Sequence, residues 1–243
     1  MQILIFDVWG MFAHFRKYYT NSSSLTYSVP PRTTIAGMVA SMLGYDRDSY
    51  YEVFNRDNMN IAVKKLTANR RIIQSLNYIK ADSVGKLFNP ENHTQIPFEV
   101  LTDDCGVGYR IYLHHNDDDI FNDIVRRIKE KRFVYAPYLG AAPFNCSINY
   151  VELVENANKI ISYEQIDIST VINTEYIVPN TIDVFSEIVF IREKMPSDFN
   201  SDRTIKSTDS YIFDNLCRKV TLKLNREFYN IKYRDIEENI VFM

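Results

Sequence analysis

Two stretches with helical apolar spacing, each set between β-rich runs, constrain this chain more than any other feature. In the first, Ile35, Met38, Val39, Met42 and Leu43 recur at i, i+3, i+4, i+7 and i+8 and predict one apolar helix face. In the second, Ile120, Phe121, Ile124, Val125 and Ile128 do the same. Pro30-Pro31-Arg32-Thr33-Thr34 opens the first helix and Gly44 closes it. Asn116-Asp117-Asp118-Asp119 caps the second, and Arg126, Arg127, Lys129, Lys131 and Arg132 near its end suit the helix dipole. Residues 2–8, 60–67, 109–114 and 149–154 are rich in strand formers. Residues 71–79 and 96–101 are strand-like too, and the polar span 80–95 between them reads as the tip of a protruding hairpin.

The resulting order is strand, helix, strand, hairpin, strand, helix, strand. It predicts an α+β fold: a ferredoxin-like (RRM-like) βαββαβ domain over residues 1–155, with an inserted β-hairpin thumb at 68–106. Residues 156–243 are expected to form a β-rich subdomain packed on the first, with strands at 181–192 and 219–224 and a polar connection at 195–210. At 243 residues, 46% hydrophobic, the chain can bury a core without disulfide or metal staples. No internal repeat or low-complexity tract interrupts it.

Charge separates the function classes. A net charge of −3 disfavours free, non-specific nucleic-acid binding by the whole surface. Yet residues 61–86 hold Lys64, Lys65, Arg70, Arg71, Lys80 and Lys86 against only Asp82. A basic strip on a mildly acidic body suits a protein that grips an anion on one face. The three cysteines, Cys105, Cys146 and Cys217, are far apart and form no CxxC pair, so neither a zinc site nor a disulfide framework is expected. Free thiols fit a reducing cytoplasm, and the opening MQILIFDVWG reads as a core strand rather than a targeting segment.

Three clusters carry candidate chemistry. The loop around His14, Phe15, Arg16 and Lys17 mixes rings with cations, and Tyr27 follows close behind. Arg32, Thr33 and Thr34 place a cation, hydroxyls and free amides at a helix N-terminus, an arrangement that attracts phosphate. Gly37 within that helix is expected to admit a close backbone. On the hairpin, Arg70, Arg71, Asn77 and Lys80 could follow a phosphate backbone while Tyr78 stacks on a base. Each cluster also has a plainer reading, as a capped helix or a solvated strand pair. His114-His115 beside Asp117-Asp118-Asp119 resembles a metal-ligand cluster, but neighbours on a strand point to opposite faces and aspartates at a helix start are capping residues. No GxSxG, HExxH or GxxxxGK[ST] motif is present. His14, beside Tyr27 or Tyr45 if the loops converge, is the best-placed residue for an alternative function, a metal-independent endoribonuclease. No cofactor or metal is expected.

The run from Phe6 to Tyr51 contains Gly10, Phe12, Ala13, Phe15 and Arg16, then Thr26, Tyr27, Pro30, Pro31, Arg32, Thr33 and Thr34, then Gly37 and Met38. This pattern resembles the opening of the Cas-five family of CRISPR-associated proteins, the RAMP-type subunits of type I interference complexes (Cascade). Residues 96–101 ahead of Tyr109-Arg110-Ile111-Tyr112, and Tyr138-Leu139-Gly140, look like the family as well. The resemblance implies a ferredoxin-like domain with a thumb. It also implies a cytoplasmic, non-catalytic subunit in antiviral defence that holds the 5′ handle of a guide crRNA. The implied partners are the backbone and large subunits, with target DNA reached through the complex and no membrane involved. One branch of the family cleaves precursor RNA with Tyr, Lys and His. The pattern here is closer to the I-B branch, where a separate ribonuclease makes the guide, so no enzymatic activity is expected.

Overall fold

The computed structural model describes residues 1–90, 92–182 and 187–243. The chain begins with β1 (Ile3–Gly10), two short strands, β2 (Phe15–Arg16) and β3 (Thr26–Tyr27), and the helix α1 (Arg32–Leu43). Next come β4 (Met59–Lys65), the hairpin of β5 (Arg70–Ile79) and β6 (His93–Thr102) with a short helix α2 (Val84–Phe88) at its tip, and β7 (Val107–His115). Helix α3 (Asp118–Glu130) and β8 (Ser147–Val154) complete the first half.

Strands β4, β7, β1 and β8 lie in that order as one antiparallel sheet. Both faces are covered, and this explains why β1 alternates so weakly in hydrophobicity. Leu4, Phe6 and Val8 point to the side packed by Ile35, Val39, Met42, Phe121 and Ile124 of the two helices. Ile3 and Ile5 point to the other side, where Ile231, Tyr233 and Ile240 wait. Helix α3 is amphipathic as its spacing predicts, burying Phe121, Ile124, Val125 and Ile128. Helix α1 is buried more fully than one face would require: Ala36, Ala40 and Arg32 are enclosed along with Ile35, Met38, Val39 and Met42.

The second half is a set of strands: β9 (Asn158–Ile160), β10 (Ile166–Ile168), β11 (Ile172–Asn173), β12 (Phe190–Phe199), β13 (Ile205–Asp214), β14 (Val220–Leu222), β15 (Phe228–Tyr233) and β16 (Ile236–Ile240). One sheet runs β14-β10-β16-β15-β9 and another β11-β13-β12. The first is clamped to the amino-terminal sheet by a buried polar cluster. Arg110, braced by Asp7 of the same sheet at 2.7 and 2.8 Å, donates across to the Tyr233 hydroxyl at 2.8 Å, and Glu238 is held by Lys64, Tyr112 and Tyr233. Burial pushes the Glu238 carboxyl up, but Lys64 and the two phenols hold it below the ordinary carboxylate value.

Two expectations for this half need correction. Residues 195–210, expected as a polar connection, form most of the β12–β13 hairpin. Its charged residues face outward or into specific partners while Met195, Pro196 and Ser197 are buried, and the pairing register shifts just after Pro196, the kind of irregularity where strands tolerate proline. Of the strand expected at 181–192, only Phe190–Arg192 is in β12, and residues 183–186 lie outside the described residues. Among the described residues, no helix is long and apolar enough to cross a membrane.

Candidate nucleic-acid interface

The loops between β1 and α1 are tied down by the thumb. Ala13 and Leu101 exchange both backbone hydrogen bonds, Ser24 and Glu99 lie beside each other, and the Thr26 N–H donates to the Glu99 carboxylate at 2.9 Å. This lacing decides which of the sequence candidates face solvent.

Several do not. Arg32, expected at a phosphate-facing helix terminus, is only 1% exposed. Its guanidinium donates to Asp198 Oδ1 (2.9 Å), to the carbonyls of Phe54 (3.0 Å) and Met59 (2.7 Å), and to that of Ser197. It is a core cation that joins α1 to β12. Phe15 and Tyr27 are buried as well, and the Tyr27 hydroxyl donates to the Lys194 carbonyl at 2.8 Å. His14 is enclosed between Glu99 and Ser24 and stacks on Phe98 at 4.0 Å between ring centres. The Glu99 carbonyl can only accept, so His14 Nδ1 carries the proton and Nε2 accepts from Ser24. Burial lowers its pKa, which favours the neutral ring. His14 touches neither Tyr27 nor Tyr45 in the way a ribonuclease reading needs.

Lys17 and Arg71 share one carboxylate. Both reach Glu193 Oε1 at 3.2 Å, and the Glu193 side chain is only 3% exposed. Much of the basic strip is spoken for in the same way: Lys64 on Glu238, buried Lys65 on Asn215, Arg70 on Asp104 (2.8 Å), Lys86 on Asp82. Asn77 and Lys80 stand exposed on the thumb, and Lys80 has no ion pair among the described residues. Near the thumb tip Val84, Leu87 and Phe88 are exposed too. Asp117 accepts from the amides of Asp119 and Ile120, the capping arrangement of an ordinary helix start. His115 bonds Val53 and the Asp117 amide. Among the described residues no group of three His, Cys, Asp or Glu is placed to hold a metal ion.

The remaining candidates converge on a groove of about 870 Å³. Arg16, Thr33 and Thr34 are among the residues that line it, the last two in the first turn of α1, which no side chain caps. Arg16 makes a hydrogen bond to the Thr20 carbonyl and no ion pair among the described residues. Six tyrosines line the same groove: Tyr18, Tyr45, Tyr50, Tyr51, Tyr135 and Tyr138. Sequence reading passed over all but Tyr45 as site residues, and Tyr45 only as a partner for His14. They come from three separate loops, and the one available signal was the high aromatic content of 14% concentrated in Tyr and Phe. Gly37 serves this groove, but not by admitting a backbone: a methyl group there would press on the Tyr50 hydroxyl, at 2.9 Å.

Residues 3–101 match the family model described as CRISPR-associated protein (Cas_Cas5). The chain is similar to a CRISPR protein of known crystal structure from Archaeoglobus fulgidus, at 15% identity over 98% of this chain and 99% of that one, with a TM-score of 0.56. It is also similar to a chain of a CRISPR RNA-guided surveillance complex, at 12% identity over 90% and 91%, with a TM-score of 0.52. At such identities the likeness is one of fold. No curated protein matches the chain. The family match spans the stretch that opens with β1 and the loop around Gly10 and ends in β6, and it stops short of the second half of the chain.

Proposed function

We propose that the chain is a non-catalytic, guide-RNA-binding subunit of a type I CRISPR effector complex (Cascade). In this reading it works in the cytoplasm, holds the 5′ handle of the crRNA, contacts the backbone and large subunits, and meets target DNA only through the assembly. One observation carries it: Arg16, without an ion pair among the described residues, and the uncapped start of α1 open into a groove walled by tyrosines. Cations and free amides hold phosphates, and rings hold unstacked bases, the two needs of a hooked single strand. The family match and a fold neighbour that is part of an RNA-guided surveillance complex support the same reading.

The antiparallel sheet order, with two helices on one face, supports a ferredoxin-like description of residues 1–155, and the buried seam at Ile231 and Tyr233 supports a β-rich subdomain at 156–243 packed on it. Against the endoribonuclease alternative, both His14 ring nitrogens are already engaged and the ring is buried, so it has no path to a ribose hydroxyl.

The test is photo-crosslinking of handle-containing RNA in the assembled complex, followed by peptide mapping. Crosslinks in residues 16–18 and around Tyr50 and Tyr138 are expected. Crosslinks confined to other subunits would overturn the assignment, and a discrete cleavage product from repeat RNA incubated with this chain in chelator would restore the ribonuclease reading.

A further inference from the structure

Part of the groove's lining comes from a segment that the family match does not reach. Phe199 and Arg203 belong to the β12–β13 hairpin, and both line the cavity together with Arg16, Thr33 and Thr34. Arg203 sits in the turn with a left-handed backbone (φ 66°), fixed by its N–H bond to the Asn200 carbonyl, and its side chain is exposed with no ion pair among the described residues. Tyr50 packs on Tyr51 at 4.7 Å between ring centres, and Tyr51 packs edge-on against Phe199 at 5.7 Å. Tyr138 (43% exposed) and Tyr135 (56% exposed) leave ring surface free. Two carboxylates also line the groove, Asp46 and Asp48, but Asp48 is engaged by Tyr51 and Arg47.

We propose that this groove binds two or three consecutive unpaired nucleotides, their bases stacking on Tyr138 and its neighbours, with Arg203 clamping one phosphate in addition to any held by Arg16. The volume suits that load: ligand sites run from about 300 to 1,000 Å³. Arginines from separate elements lining one groove with several tyrosine rings match a strand whose phosphates need cations and whose splayed bases need ring faces. A proline-rich peptide would also find rings here, but it has no use for a groove lined by Arg16 and Arg203. The C-terminal hairpin is thereby part of the binding site as well as a scaffold. This inference rests on the RNA-binding reading above and adds to it the residues from outside the family match.

The test uses the full chain and a fluorescent single-stranded RNA of about 8 nucleotides, long enough to fill the groove and extend past both ends of it. An otherwise identical RNA with abasic central positions is the second probe. Arg203→Ala and Tyr138→Ala alter exposed side chains, so folding is retained, and circular dichroism checks it. Each is expected to weaken binding about tenfold, one stacked base or one phosphate contact. With the abasic RNA, the Arg203→Ala loss persists and the Tyr138→Ala loss disappears. Binding by both variants within about twofold of wild type, alongside a clear loss in Arg16→Ala, overturns this inference and leaves the RNA-binding reading standing. Failure of wild type to bind the RNA, or competition by a proline-rich peptide in its place, overturns both.

Discussion

Arg32, the first residue of α1, and Asp198, near the end of β12, meet at 2.9 Å across 166 residues of chain. The pair is almost dry, with side-chain exposures of 1% and 13%. Asp198 Oδ2 also accepts the Arg56 N–H, so one carboxylate holds the start of α1, the segment before β4 and the C-terminal hairpin together. It is the hinge pin between the part of the chain that matches the family model and the part that does not.

Arg32→Ala should therefore act on stability before anything else. Removing one partner of a buried ion pair leaves the other uncompensated and costs roughly 3–5 kcal/mol. Arg32→Lys should recover only part of that, since one ammonium cannot reach Asp198 and the Phe54 and Met59 carbonyls together. Denaturant unfolding measures both. A loss under about 1 kcal/mol for the alanine variant would show that the pair is not buried in solution.

His14 predicts a pH dependence. Burial lowers its pKa below the ordinary value of 6.5. The unfolded chain then binds the proton more readily than the folded one, so stability is complete above about pH 6.5 and falls as the pH drops toward the folded-state value. His114 is lowered by burial too and contributes in the same direction. His14→Gln should flatten part of the decline in thermal midpoint between about pH 7 and 5, and His14→Gln with His114→Gln should flatten more of it. An unchanged slope in the double variant would refute the lowering of both histidines by burial.

Glu193 makes two neighbouring cations unequal. Lys17 is paired to it at 3.2 Å, whereas the adjacent Arg16 has no carboxylate partner among the described residues. Arg16→Ala should weaken RNA binding about tenfold and Lys17→Ala less than about twofold, although the two are adjacent in sequence. Filter binding at fixed salt is sufficient. Equal losses would mean that Glu193 releases Lys17 when RNA arrives.

Gly140 is a backbone requirement. It adopts φ +81°, and an added methyl group would overlap the carbonyl oxygen of His14. The His14 N–H in turn donates to the neighbouring Leu139 carbonyl at 3.1 Å. Gly140→Ala should destabilise the chain by well over the 1 kcal/mol or so expected from left-handed strain alone, because a clash between backbones is not relieved by rotating a side chain. A thermal scan decides it, with Gly85→Ala, where nothing lies within 4 Å, as the neutral control.

The amino-acid sequence by itself determined the first half of the molecule. Apolar spacing in 35–43 and 120–128, strand formers around them and the Asp117 cap are local signals, and the local backbone follows them because each element buries its own patterned face. The thumb arms were legible for the same reason. The β12–β13 hairpin was not, since Lys194, Pro196 and Asp198 break any strand pattern and are accommodated only by partners far away in sequence, Arg32 among them. The fate of each cation was decided by tertiary structure alone. Sequence shows that Arg16, Lys17, Arg32 and Arg71 carry charge; whether that charge is free depends on where Glu193 and Asp198 come to rest. The tyrosine groove belongs to the same class, assembled from loops that have nothing in common until the chain has folded, because a concave surface is a property of packed elements and not of any one of them.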